Sequence, residues 1–219
     1  MRTLCLLAWG LSLVTHAAPT QAESTETIER HPITVGFELK YAPLRFDRYH
    51  LAPEKPAHEN GNATLIALEW LLVQNLGKVG LGIETGFFAA SHQRIDEHRI
   101  AHLYAIPAHA RLSYHFDYFS DQLLVPFASV GGGLTLLRQV SSTGANIAGT
   151  QMYKGWEYTL GGQLCLNKID PHGSKSMNRN FGINNTYILF EFTQNQPLQA
   201  GQKAVLSYQV YRFGLRLEI

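Results

Sequence analysis

One group of side chains has the types and spacing that nucleophilic chemistry would require. His109, Ser113 and His115 fall on alternate positions of a polar-apolar pattern, so a strand would point all of them to one side. A hydroxyl near an imidazole can serve as a nucleophile with its base. The same arrangement also suits buried hydrogen bonds, and we expect no enzymatic activity.

A second group lies between residues 91 and 102, where histidines, acids and arginines are mixed. If this stretch were helical, His98 and His102 would lie one turn apart, a spacing that suits Zn²⁺. Arg94 and Arg99 could instead bind phosphate groups, because guanidinium matches phosphate bidentately. A loop rarely guarantees metal geometry, so we expect no metal and no cofactor, and we keep Arg94 and Arg99 as possible phosphate contacts.

A third group of charges alternates with apolar residues along several segments. Such charges face a common interior, and buried charges must be paired. We therefore expect a structural network of ion pairs rather than a catalytic site. Its predicted members are Glu38, Lys40, Glu84, Arg111, Glu157, Glu191, Arg212 and Arg216.

The final stretch of the sequence identifies the elements that carry these charges. Residues 211–219 alternate strictly between an apolar face and a polar face, which is the period of a β-strand. The stretch also resembles the C-terminal assembly signal of outer-membrane β-barrels, with Arg212, Gly214, Leu217 and Ile219 at the matching positions. Ile219 stands where that signal usually has an aromatic residue.

Strand-like segments recur along the rest of the chain and are separated by polar or glycine-rich connections. Their number and length predict an all-β fold, an eight-stranded antiparallel up-and-down transmembrane β-barrel. Connections one, three and five are long, whereas two and four are short, as in barrels with long outer loops. Residues 167–183 break this rule and are expected to be an irregular connection. A secreted β-sandwich is the competing fold, but the polar faces carry few charges for a sandwich surface.

The N-terminus and the composition place this barrel in a cell envelope. Residues 1–22 are predicted to be a cleavable signal peptide, 23–32 a disordered periplasmic lead and 33–219 the barrel. Cleavage would leave Cys165 as the only cysteine, so no internal disulfide is expected. A net charge of +1 gives no argument for nucleic acid.

Several motifs taken together resemble a family of small outer-membrane β-barrels best known from myxobacteria and relatives. They include Tyr-Ala-Pro-Leu-Arg-Phe-Asp at 41–47, Leu-Ser-Tyr-His-Phe-Asp at 112–117 and Phe-Gly-Leu-Arg-Leu-Glu-Ile at 213–219. The resemblance implies the fold and a location in the outer membrane of a Gram-negative bacterium. It implies no reaction.

The expected function is structural or interactive, with no open pore. The expected partners are outer-membrane lipids and lipopolysaccharide, the barrel assembly machinery and a protein bound through the loops. A lipid A-modifying acyl hydrolase is the alternative. Lipid A deacylases carry a His-x-Ser-Asn pattern, which the spacing from His109 to Ser113 does not match.

Overall fold

A computed structural model of the chain describes residues 35–49, 59–73, 77–94, 99–119, 122–141, 146–198 and 206–219. The predicted signal peptide and periplasmic lead lie outside these residues. Within them, no helix is long and apolar enough to cross a membrane.

The fold is a closed antiparallel β-barrel of eight strands, as predicted. Each strand pairs with the next along the chain, and β8 pairs with β1 to close the cylinder. The strands are β1 Val35–Tyr49, β2 Glu59–Val73, β3 Lys78–Arg94, β4 Arg99–His115, β5 Leu124–Ser141, β6 Asn146–Cys165, β7 Asn185–Pro197 and β8 Leu206–Glu218.

The alternation of apolar and polar residues in the sequence corresponds to the outer and inner faces of the barrel wall. Large apolar side chains point outward and are exposed, whereas the residues between them are buried inside the cylinder. Leu160 and Tyr211, for example, are 64% and 66% exposed. A continuous exposed apolar surface of this kind is the lipid-facing belt of a membrane barrel.

The connection after β6 is more ordered than the irregular segment expected from the sequence. A 3₁₀ turn at Leu166–Lys168 leads into a helix, α1, at Pro171–Phe181. Asp170 caps the N-terminus of the helix by accepting a hydrogen bond from Gly173 N. Pro171 is the first helical residue, where the φ angle fixed by its ring is already helical. Gly182 ends the helix in the left-handed conformation, with φ 69°. We call the end of the barrel that carries α1 the helix end and the opposite end the loop end.

Towards the loop end the strands run further than the sequence predicted. The stretches 91–94 and 99–101, expected to be part of a polar loop, belong to β3 and β4. The β3–β4 ladder continues to Arg94 and Arg99, whereas the described β2–β3 ladder stops at Gly61 and Ala90. Backbone hydrogen bonds do not depend on side-chain polarity, so a ladder can continue where no lipid requires an apolar outer face.

Candidate functional site

The interior of the barrel is the candidate site, because it gathers most of the charged side chains of the strands. All of the charges predicted to face inward are there, and each is at most 7% exposed. The alternation along each strand places them on the inner face. The pairing of residues between adjacent strands then brings them to similar heights along the barrel axis. Their contacts form one connected network in the middle of the lumen.

Lys40 is the centre of this network. Its Nζ lies 2.9 Å from Glu38 Oε2, 2.8 Å from Glu84 Oε2 and 2.9 Å from Glu191 Oε1. An ammonium group has three protons to donate, so Lys40 can donate one to each carboxylate. The contact with Glu191 joins β1 to β7, two strands whose contacting residues are 151 positions apart in the sequence.

Arg212 on β8 links the network to its loop-end side. Its Nη1 lies 3.0 Å from both Glu84 Oε1 and Glu157 Oε1, and its Nη2 lies 2.9 Å from Glu157 Oε2. Tyr208 donates its hydroxyl to Glu157 at 3.3 Å. Glu157 is therefore held by a bidentate guanidinium and a phenol, which fixes its orientation.

Two further arginines neutralise the helix-end side. Arg111 donates to Glu38, and Arg216 donates to Glu38 at 2.7 Å and also to Glu69. Arg216 Nη2 lies 3.2 Å from Glu218 Oε1 as well. Each buried carboxylate here has a cation within ion-pair distance, as desolvation of charges requires.

Glu69 and Lys78 are members of the network that the sequence analysis missed. Glu69 is fully buried, yet β2 reads poorly as a strand because its inward positions include Ala63, Ala67 and Leu71 rather than polar residues. Lys78 is the first residue of β3, and its Nζ lies 3.0 Å from Glu218 and 2.9 Å from Asp117. The signal that could have identified Glu69 is its position in β2: it lies two residues after Ala67 and therefore on the same, inward face of the strand.

Ser113 and His115, the candidate nucleophile and base, do not contact each other through a hydrogen bond in the described structure. Ser113 Oγ donates to Glu69, and His115 Nε2 lies 3.2 Å from the same carboxylate. Gln163 Nε2 lies 2.9 Å from His115 Nδ1. Both side chains are therefore used as hydrogen-bond partners of buried groups, and both are buried.

His109 lies with Glu84 and Glu157 in the one arrangement among the described residues that has metal-like spacing. Their ligand atoms lie within 4.8 Å of one another. The Arg212 guanidinium, however, already bridges Glu84 and Glu157 at 3.0 Å. A divalent cation would be placed against a fixed positive charge, so the arrangement is better suited to ion pairing than to metal binding. Of the two histidines with zinc-like spacing in a helix, His102 lies on strand β4, and His98 lies outside the described residues.

Apolar layers lie beside the ionic network towards both ends of the barrel, although the Lys78–Asp117 ion pair at the helix end is partly exposed. At the loop end, buried aromatic and aliphatic side chains pack together, among them Phe88, Leu103, Leu137, Tyr153 and Tyr208. At the helix end, Val125 packs with Cys165 and Tyr187. A cavity of about 30 Å³ remains between the network and the loop-end layer, which is room for about two water molecules. Apart from this cavity, the buried side chains of the described residues occupy the lumen at the level of the network and next to it.

Three of the predicted assembly-signal residues, Arg212, Gly214 and Leu217, lie on the strand that closes the barrel, and Ile219 directly follows it. Arg212 points inward into the network, whereas Leu217 and Ile219 lie on the outer side. Gly214 faces inward against β1, and a Cβ at this position would lie 2.5 Å from the Leu39 carbonyl oxygen. Glycine is therefore required for the close approach of β8 to β1.

The possible phosphate contacts lie at the tip of the β3–β4 hairpin. The register places Arg94 directly opposite Arg99 as the last described pair of this ladder.

Comparison with known proteins places this architecture in a recognised class. Neisserial surface protein A is 12% identical, with a TM-score of 0.54 over 84% of this chain and 97% of that chain. The attachment invasion locus protein Ail of Yersinia pestis is 10% identical, with a TM-score of 0.52 over 86% and 100%. The outer membrane protein OprG of Pseudomonas aeruginosa is 12% identical, with a TM-score of 0.53 over 86% and 97%.

The chain has the fold of a small outer-membrane β-barrel. The identities show the fold alone. No protein-family model and no curated protein sequence matches the chain. The Ail structure contains the heparin analogue sucrose octasulfate.

Proposed function

We propose that this protein is a closed, non-conducting barrel of a Gram-negative outer membrane, with a structural and surface-interaction role. The observation that supports this most strongly is the filled lumen. Buried ion pairs occupy its middle, and apolar layers lie towards both ends. An eight-stranded barrel whose interior is filled by side chains in this way is expected to obstruct the passage of solutes.

The loop end is the surface proposed for interactions. The described ladders from β3 to β6 rise above their neighbours, since β5–β6 continues to Asn146 while the described β6–β7 ladder ends at Gly155. Arg94 and Arg99 pair at the tip of the β3–β4 ladder. We propose that they bind the phosphates of lipopolysaccharide, and the complex of Ail with sucrose octasulfate supports an anionic partner for a barrel of this fold.

Two other parts of the proposal rest on sequence. The order of motifs supports membership of the small-barrel family best known from myxobacteria. The pattern of Arg212, Gly214, Leu217 and Ile219 supports recognition of β8 by the barrel assembly machinery, and a protein partner would bind through the loops.

An acyl hydrolase acting on lipid A is the weaker candidate. Ser113 and His115 both bond to Glu69 instead of to each other, and both are buried in the helix-end half of the lumen. A nucleophile needs its base within hydrogen-bond reach and an open path to the substrate.

Conductance and ligand binding test the proposal together. The purified full-length barrel in a planar bilayer is expected to give no discrete conductance steps. Its affinity for purified lipopolysaccharide is expected to fall several-fold in an Arg94→Glu, Arg99→Glu variant. Lys154→Glu is the matched charge reversal, because Lys154 is exposed on β6 near the same end. Stable channels would refute the closed lumen, and equal loss of binding in both variants would refute the specific site.

A further inference from the structure

Helix α1 carries an exposed basic face. His172, Lys175 and Arg179 are spaced by three and four residues, so they share one side of the helix, and all of them are exposed. Their side chains make no ion pair with any residue that the structure describes. The single acid between residues 166 and 184 is Asp170, which is used to cap the helix through Gly173 N at 3.0 Å.

The opposite side of α1 is less polar and only thinly packed. Met177 and Phe181 lie one turn apart on that side, and no residue of the helix is buried. Two side-chain hydrogen bonds hold the helix to its flanking segments, Asn167 to Ser174 and Asn178 to Asn184, both at 2.7 Å. A helix of 11 residues is marginal in water unless a surface stabilises its apolar side.

The position of α1 in the fold indicates which surface that is. Ile169, which precedes the helix, and Phe181, its last residue, are 60% and 68% exposed, although both are large and apolar. Leu123 and Leu124 are exposed at the same end of the barrel, and Leu124 pairs with Leu164 just before the connection begins. The helix is therefore connected to the end of the wall at which the exposed apolar belt ends.

We infer that α1 is an interfacial helix that binds the anionic phospholipid surface at the helix end of the barrel. Phe181 and Ile169 enter the edge of the hydrocarbon, and Lys175 and Arg179 contact headgroup phosphates. A short helix with a basic side opposite an apolar side has the pattern that lies in the plane of an interface. The inference rests on the proposed insertion of the barrel in a membrane.

A fluorescence experiment on the full-length barrel tests this arrangement. A nitrobenzoxadiazole label is attached at Asn180→Cys in a Cys165→Ala background, because Asn180 is exposed on α1 and Cys165 is buried. The barrel is reconstituted in phosphatidylcholine vesicles with and without phosphatidylglycerol. We expect blue-shifted emission and at least twofold stronger quenching by headgroup-level nitroxide lipids when phosphatidylglycerol is present.

Variants separate the electrostatic and apolar contributions. Lys175→Glu with Arg179→Glu is expected to abolish the effect of phosphatidylglycerol, whereas Phe181→Ser reduces quenching in both lipids. Lys154→Glu, a charge reversal at the loop end, is expected to change neither. The inference would be overturned if the label emitted at the wavelength expected in water in both lipids. It would also be overturned if quenching of the label changed neither with phosphatidylglycerol nor with the charge reversal. Lipid-independent binding of the label to purified peptidoglycan would overturn it too.

The same samples show whether the barrel itself is inserted. Trp70 and Trp156 point outward from the wall and are exposed. Their emission in the unlabelled protein is expected to be quenched by nitroxides on the lipid acyl chains. Quenched tryptophans with an unquenched helix label would reject the interfacial helix and leave the barrel proposal intact, whereas unquenched tryptophans would reject both.

Discussion

Arg216 Nη1 lies 2.7 Å from Glu38 Oε1, and the two residues are register partners across the seam where β8 closes onto β1. The two strands are therefore joined by backbone hydrogen bonds and, on the inner face of the wall, by an ion pair. Arg216 also donates to Glu69 on β2, so a single guanidinium connects the last strand to the first two. Closure of the wall and neutralisation of the lumen depend on the same residue.

Replacing Arg216 with Met should destabilise the barrel strongly. The substitution leaves the buried carboxylates of Glu38, Glu69 and Glu218 without this cation, and removing one partner of a buried pair costs about 3–5 kcal/mol. Urea unfolding in detergent, followed by the shift between folded and unfolded bands on gels, measures the change. Lys154→Met, an exposed change, serves as the control, and equal midpoints for the two variants would contradict the network.

Lys40 and Glu191 should show strong energetic coupling. Lys40→Met leaves three carboxylates close together, whereas Glu191→Gln in the same protein removes one of the negative charges. The double variant should therefore be more stable than Lys40→Met alone, with a coupling of about 0.5–3 kcal/mol. A double-mutant cycle of unfolding free energies gives this value. Additive effects would mean that the two side chains do not interact.

Gly214 should not tolerate even one added methyl group. Alanine would bring its Cβ within 2.5 Å of the Leu39 carbonyl oxygen, a backbone atom that cannot move without opening the seam. We expect Gly214→Ala to cost about 1–3 kcal/mol, and Gly214→Asp or Leu217→Asp to prevent assembly. The amount of heat-modifiable protein in outer-membrane fractions measures this.

Gly162 is the matched control for that experiment. A Cβ there would meet only Leu124 Cδ1, at 3.4 Å, which is an ordinary contact. Gly162→Ala should therefore assemble as well as the parent. If both alanine variants assembled equally, close approach at the seam would not explain the glycine.

Ser113→Ala should affect stability and leave lipid A unchanged. The hydroxyl donates to buried Glu69, and the loss of a hydrogen bond to a charged group costs about 1.5–3 kcal/mol. Mass spectra of lipid A from cells that express the parent and the variant should be identical. A change in acylation that requires Ser113 would support the acyl hydrolase instead.

The strand faces could be predicted from the sequence because lipid and lumen impose opposite polarity on alternate residues. Tyr211 and Phe213 point outward and Arg212 points inward, as their order in β8 indicates. Where the inward positions are small or apolar, as at Ala63 and Ala67, the contrast is weak. Glu69 on the same strand was therefore missed.

Helix α1 was missed for a different reason. Its composition of Gly, Ser and Asn is unfavourable for a helix interior, so propensity argues against it. The local signals were present in Asp170, Pro171 and Gly182, which cap and terminate the helix. Contacts between strands could not be predicted, because the partners of Lys40 and Arg216 are fixed by the closed register and not by neighbours along the chain.

The long sequence separation of the lumen contacts has a kinetic consequence. Lys40 on β1 and Glu191 on β7 are 151 residues apart, and Glu38 on β1 and Arg216 on β8 are 178 apart, so both pairs require the two ends of the sheet to meet. An unclosed sheet would expose these charges to water or to lipid, where an uncompensated charge is costly. We therefore expect the interior to lose its water only late in folding, when the barrel closes, and we expect contacts of such long sequence separation to form slowly. A chain that stalled before this event would hold a wet, open intermediate, and such an intermediate is the form that envelope proteases would remove.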